Sequence, residues 1–267
     1  MGNLQLRRLL VNLLLLLVVI GLGGFVWWYN THATPPLSTL LSLPKSAIKQ
    51  ITITRQLESD KPEVIQLIKQ GDFWYMQQPM HYAANPTRIT QLFTLLDETV
   101  EASYDAAGKD LKQYALAPGQ AALTLNEQKL VFGMDNPVSR KRYILHDGKI
   151  KLVSEAVFGL LTGDSIDLLS TKLIPPGRTL KQLSLPAAYT TVGDTATKWQ
   201  AADAIFVEKW DGQGESKGQI VLNLDDGSIV TLDMLTSEGE VVLGNRAAGL
   251  RYKLVEAQRQ QLLPPKP

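Results

Sequence analysis

The sequence predicts an α+β protein: a single N-terminal transmembrane helix followed by tandem antiparallel β-rich units with a few short helices. Three observations predict it. Residues 9–28 form an almost uncharged apolar run. The chain beyond is dominated by short β-branched segments separated by Gly, Asn and Asp turn signals, the pattern of antiparallel hairpins. Segments of the first half also reappear, in order, in the second.

The apolar run comes first. Of the residues from Leu9 to Trp28, fourteen are Leu, Ile, Val or Phe. At about 1.5 Å per residue, such a helix spans roughly 30 Å, the thickness of a bilayer's hydrocarbon core. Arg7 and Arg8 precede it, and no charge follows until Lys45. That asymmetry places residues 1–8 in the cytoplasm and sends the remaining chain across the membrane. Trp27, Trp28 and Tyr29 suit the outer aromatic belt. Asn12 favours an interhelical hydrogen bond worth roughly 0.6–2 kcal/mol, and Gly21, Gly23 and Gly24 permit close approach to another helix. The competing reading is a cleavable signal, with Thr31-His32-Ala33 as the cleavage site. The run is longer than the usual apolar region of about 7–15 residues and ends in bulky aromatics, which favours a retained anchor.

Composition narrows the rest. The chain has 267 residues and no cysteine, which excludes disulfides, thiolate nucleophiles and Cys-type zinc sites. Without Arg7 and Arg8, 25 basic residues face 26 acidic ones, so there is no basic field for nucleic acid. A cysteine-free extracytoplasmic body of this size fits a bacterial periplasm, behind an inner-membrane anchor.

The elements follow in order. Residues 29–44 form a Pro-containing linker whose prolines favour extended backbone and so hold the domain slightly off the bilayer; alternatively its leucines lie against lipid or pack on the domain. Ile48–Thr54 reads as a half-buried strand. Val64–Lys69 and Phe73–Met76 flank Gln70-Gly71-Asp72 as a hairpin. A helix is expected from Pro86 to Asp97, with Asn85 as N-cap, Pro86 at the first helical position, and Ile89, Leu92, Phe93 and Leu96 on one face. Strands return at Ala122–Leu125 and Leu130–Phe132. Arg142–His146 and Lys149–Val153 bracket Asp147-Gly148, a strong hairpin signal. Ser154 is expected to cap a short helix over Glu155–Leu161, stopped by Gly163. Further hairpin signals stand at Asp226-Gly227 and around Gly212–Gly218, and a short helical stretch near Glu256–Leu262 precedes a Pro-rich tail.

The internal echo pairs Ile48–Ile53 with Leu180–Leu185, each followed by a tryptophan, Trp74 and Trp199. Later, Leu130–Gly133 with Arg142–Leu145 parallels Val241–Gly244 with Arg251–Leu254. The expectation is a duplicated β-rich unit whose second copy lost its long helix, the first unit at 45–174, the second at 175–258 and a tail at 259–267.

From Ile48 to Ile174 the order of features resembles the domain-of-unknown-function 4340 family. The matching motifs are the Trp-containing strand Phe73-Trp74-Tyr75, Pro79, and Ala84-Asn85 leading into a helix. Leu111-Lys112-Gln113-Tyr114-Ala115-Leu116-Ala117-Pro118 follows, with Ala115 where the family usually has Gly. Val131-Phe132-Gly133 and Asp167-Leu168-Leu169 complete the match. The resemblance implies an extracytoplasmic, membrane-anchored module of the kind often encoded beside gliding-motility-type ABC transporters. It supplies no catalytic residues.

Candidate chemistry is sparse. His32, His81 and His146 are too scattered for a metal or triad site, and no His-Glu-x-x-His, Gly-x-Ser-x-Gly or P-loop pattern occurs. Ser42-Leu43-Pro44-Lys45 has Ser-x-x-Lys spacing, but Pro44 opposes the helical turn that chemistry needs. Gly212–Gly218 places its Lys before the last Gly, unlike a phosphate cradle. Asp225-Asp226-Gly227 lacks the alternating ligands of a calcium loop. Arg140, Lys141 and Arg142 form a basic cluster that reads first as a solvated loop and alternatively as a surface for a partner's acidic edge or lipid headgroups.

The expectation is therefore non-enzymatic, with no cofactor or metal. The chain reads as a periplasmic interaction or assembly module, an accessory subunit of an inner-membrane complex such as an ABC-type transporter. The alternative is a sensor for a glycan or lipid, using a cleft near Trp199 and Trp210. A hydrolase around Ser42 is the weakest reading.

Overall fold

A computed structural model describes residues 3–31, 38–55, 62–237 and 240–266. The chain divides into two units, residues 1–38 and 39–267. The first contains helix α1, Asn3–Thr31, whose window Val11–Trp28 has mean hydropathy 2.2 with none of it buried. Among the described residues it is the one helix long and apolar enough to cross a membrane. The expected linker at 29–44 begins inside this helix, and Pro35, Pro36 and the cleavage-site residues His32 and Ala33 lie outside the described residues.

The second unit holds two antiparallel sheets. In the first half run β1 (Gln50–Arg55), β2 (Glu63–Gln70), β3 (Phe73–Gln78), β4 (Tyr82–Ala83), helix α2 (Pro86–Thr94), β5 (Val100–Asp105), β6 (Ala121–Leu125), β7 (Gln128–Asp135), β8 (Arg142–His146), β9 (Lys149–Val153) and helix α3 (Phe158–Thr162). In the second run β10 (Leu180–Ser184), helix α4 (Thr195–Ala201), β11 (Phe206–Lys209), β12 (Gln219–Leu224), β13 (Ile229–Ser237), β14 (Glu240–Asn245), β15 (Leu250–Lys253) and helix α5 (Glu256–Leu262).

Strand order reveals the relation between the halves. The nine-stranded sheet runs β4-β3-β2-β1-β6-β7-β8-β9-β5, and the six-stranded sheet runs β10-β12-β13-β14-β15-β11. With β2, β3 and β4 removed, the two orders are identical strand for strand. The helices agree as well: α2 and α4 precede the edge strands β5 and β11, and α3 and α5 follow the last strands. This unit is a tandem repeat, and the second copy lacks β2, β3 and β4 rather than a helix.

Part of the expected echo must be corrected. Ile48–Ile53 and Leu180–Leu185 do fall on the equivalent strands β1 and β10. Topology pairs β7 with β13 and β8 with β14, so the later matches are displaced by one strand. Trp74 stands on β3 and Trp199 on α4, which are not equivalent places.

Local chemistry explains the elements. Asn85 Oδ1 accepts from the N–H groups of Thr87 and Arg88 at 2.9 and 3.4 Å, starting α2 at Pro86, and a 3-10 turn continues it over Leu95–Asp97. The β8–β9 turn holds both Asp147 and Gly148 at positive φ, 48° and 66°, which matches the strand twist. Ala115 adopts the left-handed conformation, φ 52°, at the end of the turn Leu111–Tyr114. The expected helix cap at Ser154 is wrong. The carboxylate of Glu155 accepts from Val157 and Phe158 N–H at 2.8 and 2.7 Å, and the helix begins only at Phe158. Gly163 ends it in extended conformation, not left-handed. The expected hairpin at Gly212–Gly218 is a crossover, because β11 and β12 lie near opposite edges of their sheet.

Alternation places the core. Ile51 and Ile53 of β1, Ile65 and Leu67 of β2, and Leu123 and Leu125 of β6 are fully buried, and α2 adds Ile89, Leu92 and Phe93. One continuous apolar cluster joins these to Trp199, Leu222 and Tyr252 of the second repeat. Leu40 and Leu41 are buried with them, so of the two placements open to the linker leucines these two pack on the domain. Gly133 of β7 admits no side chain, since a Cβ would fall 2.2 Å from the carbonyl oxygen of Tyr114.

The segment between the repeats stitches the sheets together. Ser170 N–H donates to Ala83 O and Asn85 N–H to Leu168 O, both at 2.8 Å. On the other side Ala204 N–H donates to Thr171 O at 2.9 Å. The hydroxyls of Tyr82 and Tyr252 are hydrogen-bonded across the same seam.

Candidate functional site

Several hollows open along the seam, and two of them reach about 710 and 350 Å³. The larger is broad, and its lining includes His81, Tyr82, Gln219, Asp233, Asn245 and Arg246. Asp233 is almost fully buried, and accepts from Gln219 Nε2 at 3.0 Å and Arg246 Nε at 3.2 Å. Burial alone pushes its carboxyl up, but hydrogen bonds from Gln219 and Ser216, with Arg246 beside it, outweigh that and hold it below its ordinary value. The Arg246 guanidinium also lies 4.7 Å from the Trp210 ring centre. This group pins the crossover loop: the Trp210 indole N–H donates to Gln213 O at 2.7 Å, and Arg246 donates to Gly212 O.

The second hollow, about 350 Å³, is narrower and more apolar. One wall is the end of the β2–β3 hairpin, Asp72, Phe73 and Trp74; the other is the inter-repeat stretch Ile174–Arg178. Phe73 packs over Gly177, where a Cβ would come within 2.7 Å of its ring and φ is +77°. Trp74 meets Phe93 edge to face at 5.9 Å. Lys172 and Arg178 also line the hollow. Lys172 pairs with Asp203 at 2.9 Å and Arg178 with Asp226 at 3.0 Å, both on the surface.

The structure disperses the residues singled out from sequence. Asn12, Trp27 and Trp28 are exposed on α1, with Phe25 and Trp28 rings 6.4 Å apart. Arg7, Arg8 and Tyr29 lie on the same helix, and their side chains are outside the described residues. The basic cluster is not a common surface. Arg140 is exposed, Lys141 pairs with Glu101, and Arg142 is buried. Arg142 bonds Glu155 at 2.7 Å, Asp135 at 2.9 Å and Gly133 O at 2.6 Å, and lies 3.6 Å from the Phe158 ring centre. Strand alternation explains its inward position, since Arg142 shares a face with Ile144.

The remaining motifs separate in the same way. Ser42 is exposed on non-helical chain, and Lys45 pairs with Asp97 at 2.6 Å. His81 stacks on Tyr75, and His146 Nδ1 lies 3.1 Å from Lys129 O. His32 is outside the described residues. Asp226 accepts from Ser228 N–H and hydroxyl, making a tight turn. Trp199 is fully enclosed, its indole N–H donating to Leu262 O at 2.9 Å, and Trp210 lies beneath Arg246, so neither lines either of these two hollows. Among the described residues no group of three or more His, Asp or Glu is placed to hold a metal ion.

Sequence reasoning missed Lys172, Arg178 and the apolar walls beside them. The available signal was Pro175-Pro176-Gly177, a rigid turn opposite an aromatic pair in the fold but distant from it in sequence.

A family model described as Domain of unknown function (DUF4340) matches residues 74–237, running from β3 of the first repeat to β13 of the second. No curated protein and no solved structure matches the chain.

Proposed function

The chain belongs to the DUF4340 family, and from that premise we propose that it is a membrane-anchored periplasmic interaction module serving an inner-membrane complex such as an ABC-type transporter. The observation that carries the reading is α1. Its apolar residues are exposed along the whole window Val11–Trp28, in a chain whose other exposed large apolar side chains are scattered and whose core is otherwise buried. Water does not tolerate such a surface, whereas a bilayer does. Arg7 and Arg8 before the helix favour a cytoplasmic N-terminus and a periplasmic body.

The test is biochemical. Full-length protein in native membranes should resist alkaline extraction, retain its N-terminus, be cleaved by protease added to the periplasmic side, and co-purify with a membrane complex in mild detergent. A mature chain beginning near Thr34 and free of membranes would overturn the anchor. A protein that remains in the membrane but always purifies alone would overturn the accessory role.

A second reading, a periplasmic sensor for a glycan or lipid, is supported by two of the hollows along the seam. Small-molecule sites commonly occupy such junctions.

A further inference from the structure

We propose that the second hollow is a binding site for a small amphiphilic acid, an apolar chain or ring carrying a carboxylate head. The inference rests on the sensor reading and gives it a site and a ligand class. Three observations converge.

The first is the asymmetry of the repeat. The second copy completes its six-stranded sheet without a counterpart of β2–β3. The hairpin is therefore an addition to the strand plan that the two copies share, and its Asp72–Trp74 end forms one wall of the hollow.

The second is shape. A volume of about 350 Å³ falls within the roughly 300–1,000 Å³ of small-molecule sites. Its walls are stiff: Phe73 is seated on Gly177, Trp74 is braced by Phe93, and Pro175 and Pro176 restrict the facing chain.

The third is charge. Lys172 and Arg178 line the hollow against a single carboxylate, Asp72. Their present partners, Asp203 and Asp226, are surface acids. Exposed pairs of this kind contribute little, so either cation is free to turn to a ligand carboxylate. An apolar body between Phe73, Trp74 and Ile174 then leaves the acid head beside these cations.

The test uses full-length protein in nanodiscs, with empty nanodiscs as the partition control. Octanoate, its neutral analogue octanamide, and chitotriose are each measured by equilibrium dialysis. Octanoate should bind saturably. Lys172→Gln and Arg178→Gln should each weaken it by roughly tenfold, the scale of a charge-assisted hydrogen bond, while leaving octanamide unchanged. Asp72→Trp, on the exposed turn, should block both probes. An unchanged urea midpoint establishes that each variant is folded, and the two cation variants decide the matter if Asp72→Trp is not. Octanoate binding that ignores all three substitutions would overturn the site. Chitotriose binding with no octanoate binding would overturn the site and leave the sensor reading standing. Failure of every probe would count against both.

Discussion

Arg142 is a buried polar side chain that ties several parts of the first repeat together. Its guanidinium joins Glu155, which caps α3, to Asp135 and to the carbonyl of Gly133. Removing it leaves Glu155, whose side chain is only 5% exposed, without its cation. Arg142→Ala should cost about 3–5 kcal/mol, read as a lower urea midpoint, and the double change Arg142→Met with Glu155→Gln should recover part of it. The tyrosine pair gives a second prediction at this scale. Burial raises the hydroxyl pKa of Tyr82, and that of Tyr252 well above its ordinary value. A phenol whose folded pKa is raised contributes stability fully present below the unfolded value of about 10 and lost as pH rises through the folded value. Urea midpoints should therefore fall above about pH 10, and Tyr82→Phe should lessen the alkaline loss. An identical pH dependence in the variant would exclude Tyr82 from this loss.

At the scale of elements, caps and turns carry local information and strand order does not. Asn85 caps α2, the helix bracing Trp74 through Phe93, so Asn85→Ala should destabilise by about 1 kcal/mol and raise hydrogen exchange first in the α2 amides. Uniform exchange would show that the helix is held by packing alone. The crossover loops pose a different problem. Each must lie on its sheet, and in both repeats a strand glycine makes room. Gly133 receives the Tyr114 carbonyl; at Gly244 a Cβ would fall 2.6 Å from the Trp210 ring. The similarity of Leu130–Gly133 to Val241–Gly244 thus records a shared packing need on strands that are not equivalent in the repeat. This is why the sequence echo slipped by one strand.

For the whole molecule, the repeats behave as one body because neither closes its own core. The shared apolar cluster, the Tyr82–Tyr252 contact and the stitched segment 168–173 all cross the seam. Urea should therefore unfold the body in a single transition reported alike by near- and far-ultraviolet circular dichroism. A fragment of residues 175–267 alone should not fold, having lost the partners of Tyr252 and of 202–204. Two separated transitions, or a folded fragment, would show independent repeats.

Much is legible in the sequence alone, because its causes are local. The apolar run announces α1, the Asp147-Gly148 turn announces β8–β9, and Asn85-Pro86 announces α2. Each depends on neighbours within a few residues. The order of the strands, the true correspondence of the repeats and the burial of Arg142 were decided only by tertiary structure. They depend on which distant backbone groups pair and which faces meet, and no short window carries that information. The hollow between Phe73 and Arg178 belongs to the same class. Its two walls are about a hundred residues apart, and only the packing of one repeat against the other brings them face to face.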